Sequence, residues 1–164
     1  MTTTTFKPVP PRGEPGKPGF VPEWQRVFAN GFAPQLGIDG LRALRNALEN
    51  NDPHLIQGAT TVPPPLRVME DEDVEAACAI VFCGWQGVGL TTVGQAEEFF
   101  ARACYDCDQI MGESAACRHF LNWFDDTPRD EMRKLLLPVV RRVLSVYEQM
   151  HFDPQAAADE KEVA

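Results

Sequence analysis

Three cysteines and one histidine lie close together in the stretch ACYDCDQIMGESAACRHF, residues 103–120. They are Cys104, Cys107, Cys117 and His119. Zinc is commonly bound by thiolate sulfur and imidazole nitrogen, and a Cys-x-x-Cys pair can also carry out thiol–disulfide chemistry. The stretch therefore raises two chemical hypotheses, a zinc site and a redox pair. A third hypothesis is that these cysteines pack in an apolar core.

The spacing of these residues favours core packing. On a helix, Cys104 and Cys107 share a face because they are three residues apart. Cys117 and His119 are two apart, which places them about 200° around the helix axis from each other. Free cysteine is also among the most frequently buried residue types. We therefore predict cysteines that pack as small apolar residues, and we keep a zinc site formed by these four residues as the alternative.

A catalytic role finds less support in the sequence. A reactive Cys-x-x-Cys pair normally lies at a helix N-terminus, where the dipole lowers the thiol pKa, whereas Cys104 is expected about three turns into its helix. The chain has two serines, Ser114 and Ser145, and its three histidines are far apart in sequence. The sequence therefore favours a non-catalytic protein over an enzyme.

The charge balance restricts the class of partner. The chain has 164 residues, a formal net charge of −9 and 44% hydrophobic residues. An acidic chain is a poor match for nucleic acid or for an anionic membrane surface, because both bind clustered Lys and Arg. No apolar run approaches the length of a membrane-spanning helix, and the N-terminus has no apolar signal region. Together with five cysteines, these features predict a cytoplasmic protein with reduced thiols.

The elements that must position these residues lie in one domain. Residues 1–21 are rich in Pro and Gly and are predicted to be a flexible tail, and residues 152–164 an acidic C-terminal tail. Between them, residues 22–151 are predicted to form a single helical domain. Within it, residues 57–67, QGATTVPPPLR, contain three consecutive prolines and should cross the surface as an extended connector.

Three helices are predicted in the first half of the domain. The first begins at Pro22 and ends at Gly31, because proline suits the first helical position and glycine the end. The second is capped by Asp39. The third opens at the acidic run 70–75, since carboxylates favour the N-terminus of a helix, and ends at Gly84.

Three more helices are predicted in the second half. Thr92 and Gln95 have the spacing of a capping box and begin the fourth helix. Ser114 is predicted to cap the fifth, and Thr127 the last, which continues to about Met150. The predicted fold class is all-α, an irregular bundle of about five or six helices with extended N- and C-terminal tails.

The sequence also suggests residues that could contact a partner. Trp85 lies in a glycine-rich turn, and Pro8 and Pro11 form a Pro-x-x-Pro motif beside basic residues. Arg141 and Arg142 lie on the most basic predicted helix. The predicted function is a non-catalytic protein-interaction or structural module with a protein partner. The alternative is a small metal-binding protein that uses the Cys-x-x-Cys pair and the following Cys and His to hold zinc.

Overall fold

The computed structural model describes Lys17 and residues 19–151, without the side chain of His151. The predicted tail 152–164 and most of the predicted tail 1–21 lie outside these residues. The described chain forms a mostly helical bundle, which confirms the predicted fold class. Its elements are α1 Glu23–Arg26, α2 Ala33–Asn50, β1 Thr61–Val62, β2 Ala76–Ala77, α3 Ala79–Phe82, α4 Val93–Met111, α5 Cys117–Asp126 and α6 Arg129–His151.

The first helix does not end at Gly31, so that prediction was wrong. α1 continues through a π-helical stretch, Val27–Phe32, directly into α2. Gly31 is buried there, and a Cβ atom on it would lie 2.5 Å from the sulfur of Cys107. The glycine is therefore required for close contact with α4. The backbone leaves helical geometry instead at Gly37, where φ is +71°.

The acidic run 70–75 does not open a helix, and this is a second correction. Its backbone N–H groups bond to neighbouring segments: Val74 to the Thr91 carbonyl at 2.8 Å, and Glu75 to the Val62 carbonyl at 2.7 Å. The chain then forms β2, which pairs antiparallel with β1. α3 follows, continues through a second π-helical stretch, Cys83–Val88, and reaches a left-handed residue at Gly89.

The second half of the domain agrees better with the sequence. The capping box of α4 is present, because the Thr92 hydroxyl accepts a hydrogen bond from the Gln95 N–H and the Gln95 side chain accepts one from the Thr92 N–H. α4 ends at Gly112, where φ is +67°. The predicted cap at Ser114 was wrong, since α5 begins three residues later at Cys117.

Thr127 also has a different role from the predicted one. Its hydroxyl donates a hydrogen bond to the Trp123 carbonyl at 2.6 Å, so the side chain closes the end of α5. α6 begins at Arg129, with Asp130 and Glu131 in its first turn, where carboxylates complement the helix dipole.

The core lies between α6, α2 and the aromatic side chains of α5. The apolar face of α6 is buried at Met132, Leu136 and Val139, as its four-three spacing indicates. On the opposite side, Phe28 and Phe32 pack on Phe120 with ring centroids 5.0 and 5.7 Å apart. None of the helices in the described residues has the length and apolar character needed to cross a membrane.

Candidate functional site

An open pocket of about 400 Å³ lies between α4, α5 and the loop that precedes β1. Its first wall is that loop, residues 58–60, together with the start of α3. Its second wall is formed by α4 and its third by α5. The lining residues include three phenylalanines, two aliphatic residues and three cysteines, which are Phe100, Phe120, Phe124, Ile80, Leu121, Cys78, Cys104 and Cys117.

Hydrogen bonds fix the loop wall against the end of α5. The Gln57 side-chain amide donates to the carbonyls of Phe124 and Thr127 at 2.6 and 2.7 Å. The Gly58 N–H donates to the Asp125 carboxylate at 2.9 Å. The loop is therefore held by side chains at both of its contacts with α5, and the pocket has a defined shape.

The two helical walls follow from helix periodicity. Phe100 and Cys104 are four residues apart on α4, and Cys117 and Leu121 are four apart on α5, so each pair lies on one face. Arg118 also lines the pocket and is exposed on α5. Apolar groups thus form much of the walls, and the lining also includes two exposed charged residues, Arg118 and Asp125.

The structure brings two of the four predicted metal-ligating residues together. Cys104 and Cys117 both line the pocket, and each thiol affects the pKa of the other. Cys107 is fully buried elsewhere, in contact with the π-helical stretch at Gly31. His119 is exposed, and its ring lies 3.3 Å from the Glu113 carboxylate. The zinc alternative stays a prediction, with its four residues distributed over three places.

Burial controls the protonation of the pocket thiols. It raises the pKa of Cys78 to about 11, although the N–H groups of Val81 and Ile80 act in the opposite direction. Burial is also the main cause that raises the pKa of Cys104, followed by the neighbouring Cys117. The pKa of Cys117 is raised by burial and then by its hydrogen bond to Asp108. At neutral pH these thiols are protonated, and a protonated thiol is a poor nucleophile and a poor metal ligand.

The residues predicted to contact a partner lie apart from this pocket. Trp85 is half-buried, with its ring against Phe82 at 5.8 Å. Arg141 forms an ion pair with Glu49 at 3.1 Å, and Arg142 is exposed. The other two predicted contacts, Pro8 and Pro11, lie outside the described residues.

Sequence reasoning missed the contribution of Cys78 and of the loop 58–60 to the pocket. Cys78 was assigned to the middle of a helix, whereas it stands directly before α3, at the end of β2. The one local signal was the proline-rich connector, which indicated a chain crossing the surface at this point. Comparisons of the chain with protein-family models, curated proteins and solved structures found no match.

Proposed function

We propose that this protein is a non-catalytic binding protein that takes a small, largely apolar organic molecule into the pocket between α4, α5 and residues 58–60. One observation carries the proposal. The pocket measures about 400 Å³ and combines apolar walls with a few polar groups. Ligand sites for small molecules typically have volumes of about 300–1,000 Å³ and this composition.

The wall chemistry defines the class of ligand. Phe100 and Leu121 offer apolar surface, and neutral thiols such as Cys104 pack as small polarizable groups. Asp125 is held in place by the Gly58 N–H, and a carboxylate has about four acceptor positions, so it can accept a further hydrogen bond from a ligand. The pocket suits a molecule with an apolar ring system and one hydrogen-bond donor.

The protonated thiols support binding rather than covalent catalysis. A nucleophilic cysteine needs a lowered pKa, and burial acts in the opposite direction at Cys78, Cys104 and Cys117. All five cysteines are free thiols. Free thiols are typical of a reducing compartment, and we therefore assign the function to the cytoplasm.

N-phenyl-1-naphthylamine is a suitable probe, because it has an apolar body, one N–H donor and fluorescence that increases in apolar surroundings. We expect saturable binding of one molecule per chain. Leu121→Trp should abolish it by filling the pocket, whereas Leu135→Trp, at an exposed position on α6 outside the lining, should not. Unchanged melting temperatures would show that both variants are folded. Equal binding by both variants, or no saturable binding by the natural chain, would exclude the pocket as a ligand site.

A second candidate function, the protein-interaction module predicted from the sequence, is favoured by the loop after β1. Leu66 and Val68, two residues apart on this loop, are 54% and 82% exposed. The loop is anchored by β1 at one end and at the other by Glu70, whose carbonyl accepts a hydrogen bond from the Gly94 N–H at 2.9 Å. An apolar loop that is already held in place loses little conformational entropy when it binds.

The charge around this loop indicates the kind of protein that would bind it. Residues 70–73 are four exposed acidic side chains that follow Val68 and Met69, although Arg67 lies among the apolar residues. The matching partner has an apolar groove rimmed by basic side chains. A partner that is cross-linked to the natural chain should be lost with Leu66→Asp and retained with Val88→Asp, an exposed apolar residue on another segment. Loss with both variants would argue against a specific role for the loop.

A further inference from the structure

Glu23, Glu113 and His119 come from three separate parts of the chain and meet on one face of the bundle. Glu23 is the first residue of α1, Glu113 lies in the turn after α4, and His119 is in the first turn of α5. One carboxylate oxygen of each glutamate and one ring nitrogen of the histidine lie within 4.8 Å of one another. We propose that these three side chains form a binding site for one Zn²⁺ ion.

The donor set suits zinc in number, type and charge. Zinc–ligand bonds to nitrogen and oxygen are about 2.0–2.2 Å long, which places tetrahedral ligand atoms about 3.3 Å apart. The ring nitrogen Nε2 of His119 and the Oε1 atom of Glu113 are already 3.3 Å apart. Two carboxylates match the charge of the ion, and water can take the fourth position.

A stacked aromatic pair holds two of the three ligands in place. Trp24 and Trp123 stack with ring centroids 3.6 Å apart and planes 3° from parallel. Trp24 follows Glu23 in the chain, and Trp123 lies one helical turn after His119. The stack therefore keeps the backbones of Glu23 and His119 near each other, and a binding site on fixed elements loses little entropy when it takes up an ion.

The third ligand is also attached to an ordered turn. The carbonyl of Glu113 accepts a hydrogen bond from the Ala116 N–H at 3.3 Å. The Glu113 side chain is 52% exposed and that of His119 41%, so an ion can reach both from solvent. Zinc bound here would link α1 to the α4–α5 turn and to α5.

Arg26, the last residue of α1, opposes metal binding at this site. Its guanidinium lies 3.2 Å from one oxygen of Glu23 and 3.5 Å from the other. The guanidinium contacts both oxygens, so metal binding requires one of these contacts to lengthen while the other keeps Glu23 oriented. Its positive charge also repels the ion, and we therefore expect a dissociation constant in the micromolar range rather than the tight binding of a zinc finger.

The chain contains a matched control. His54 is also exposed and also pairs with a carboxylate, since its Nδ1 atom lies 2.8 Å from Asp52 Oδ1. Among the described residues, this pair has no third ligand atom within 4.8 Å. The comparison of His119 with His54 therefore isolates the effect of the complete three-residue cluster.

Isothermal titration calorimetry with ZnCl₂ on the full chain at pH 7.5 tests the proposal. We expect one equivalent of Zn²⁺ to bind and the melting temperature to rise with zinc concentration, because an ion that binds the folded state stabilises it by mass action. His119→Ala and Glu113→Gln should each weaken binding at least about tenfold. Removing a group that only supports a metal ligand already weakens metal binding by about that much, and these two variants remove a ligand itself. His54→Ala should bind as the natural chain does.

A double variant, Cys104→Ser with Cys117→Ser, separates this site from the thiol pocket. Binding should be unchanged in that variant, whose fold is checked by its melting curve without zinc. Loss of zinc binding in the folded double variant would show that the thiols bind the ion, and the proposal would be wrong. The proposal is also overturned when the natural chain binds no zinc at millimolar concentration, or when His119→Ala leaves the affinity unchanged.

Discussion

The carboxylate of Asp108 accepts a hydrogen bond at 2.8 Å from the backbone N–H of Cys117, nine residues later in the chain. Its second oxygen accepts one from the Ala115 N–H at 3.2 Å. Asp108 thus caps α5 from the end of α4, the role that the sequence assigned to Ser114. Because Asp108 lies one turn after Cys104 on α4, the same contact brings Cys117 beside Cys104 in the pocket.

Asp108→Ala should therefore destabilise the protein by about 1–2 kcal/mol, since it removes the acceptor from two backbone N–H groups at a helix start. Ser114→Ala is the matched control and should change the free energy of unfolding by less than about 0.5 kcal/mol, as exposed positions usually do. Urea unfolding followed by circular dichroism measures both. A larger effect at Ser114 would show that the cap has been assigned to the wrong residue.

Val139→Asp should be among the most damaging single changes. Val139 is 4% exposed on the core face of α6, and an aspartate there would bury a carboxylate without a partner. We expect a loss of more than about 3 kcal/mol, or no folded protein at all. Leu135→Asp, at a 42% exposed position one turn earlier, should be mild. Equal losses for the two variants in chemical unfolding would contradict the assignment of the core face.

The stability of the protein should fall in alkaline solution. The pKa of Cys78 rises from 9.0 in the reference state to about 11 in the folded state, with burial as its main cause. Above pH 9 the unfolded chain releases a proton that the folded protein retains, so the stabilisation is complete below pH 9 and is lost between pH 9 and 11.

Urea midpoints measured from pH 7 to pH 11 test this dependence. The decline above pH 9 should be less steep in Cys78→Ala, because that variant lacks one of the groups responsible. The variant and the natural chain are each compared with their own stability at pH 7. Identical slopes in both proteins would mean that Cys78 is exposed to solvent in the folded state.

Gly87→Ala should destabilise the contact between α2 and the π-helical stretch after α3. A Cβ atom at Gly87 would lie 2.4 Å from the Cα atom of Gly40, and backbone cannot move aside as a side chain can. We expect a loss of at least about 2 kcal/mol. At Gly94 the nearest atom, the Glu70 carbonyl oxygen, would be 3.2 Å away, so Gly94→Ala requires a much smaller shift and should cost less than Gly87→Ala. Thermal unfolding of the two variants at equal pH measures both losses, and an equal loss for both would contradict the close contact at Gly87.

Local signals in the sequence predicted the local structure well. The Thr92 capping box was correct, because it depends on residues within one turn of each other. Gly31 and Gly84 were wrongly read as helix ends. Each is buried against another helix, and a side chain at either position would clash there. This requirement for glycine is visible only in the tertiary structure. In the acidic run 70–75, the N–H groups of Val74 and Glu75 bond to carbonyls more than ten residues away in sequence, and a helical period gives no signal of such bonds.

The candidate sites were less accessible to sequence reasoning. Cys104 and Cys117 were identified by residue type, but their common pocket depends on the loop 58–60, far away in the chain. His119 was grouped with the cysteines because of its proximity in sequence. In the structure, the potential ligand atoms near His119 belong to Glu113 and Glu23. Glu23 lies near His119 only because α1 packs on α5.

The contact of Phe28 and Phe32 with Phe120 has a consequence for the synthesis of the protein on the ribosome. The first long helical segment emerges early, but the ring that covers its two phenylalanines emerges only with α5. Until then the part of these side chains that Phe120 covers stays exposed on the nascent chain, and exposed apolar surface favours aggregation. A chain that stops before residue 117 should therefore behave as a client for chaperones rather than as half of a folded domain.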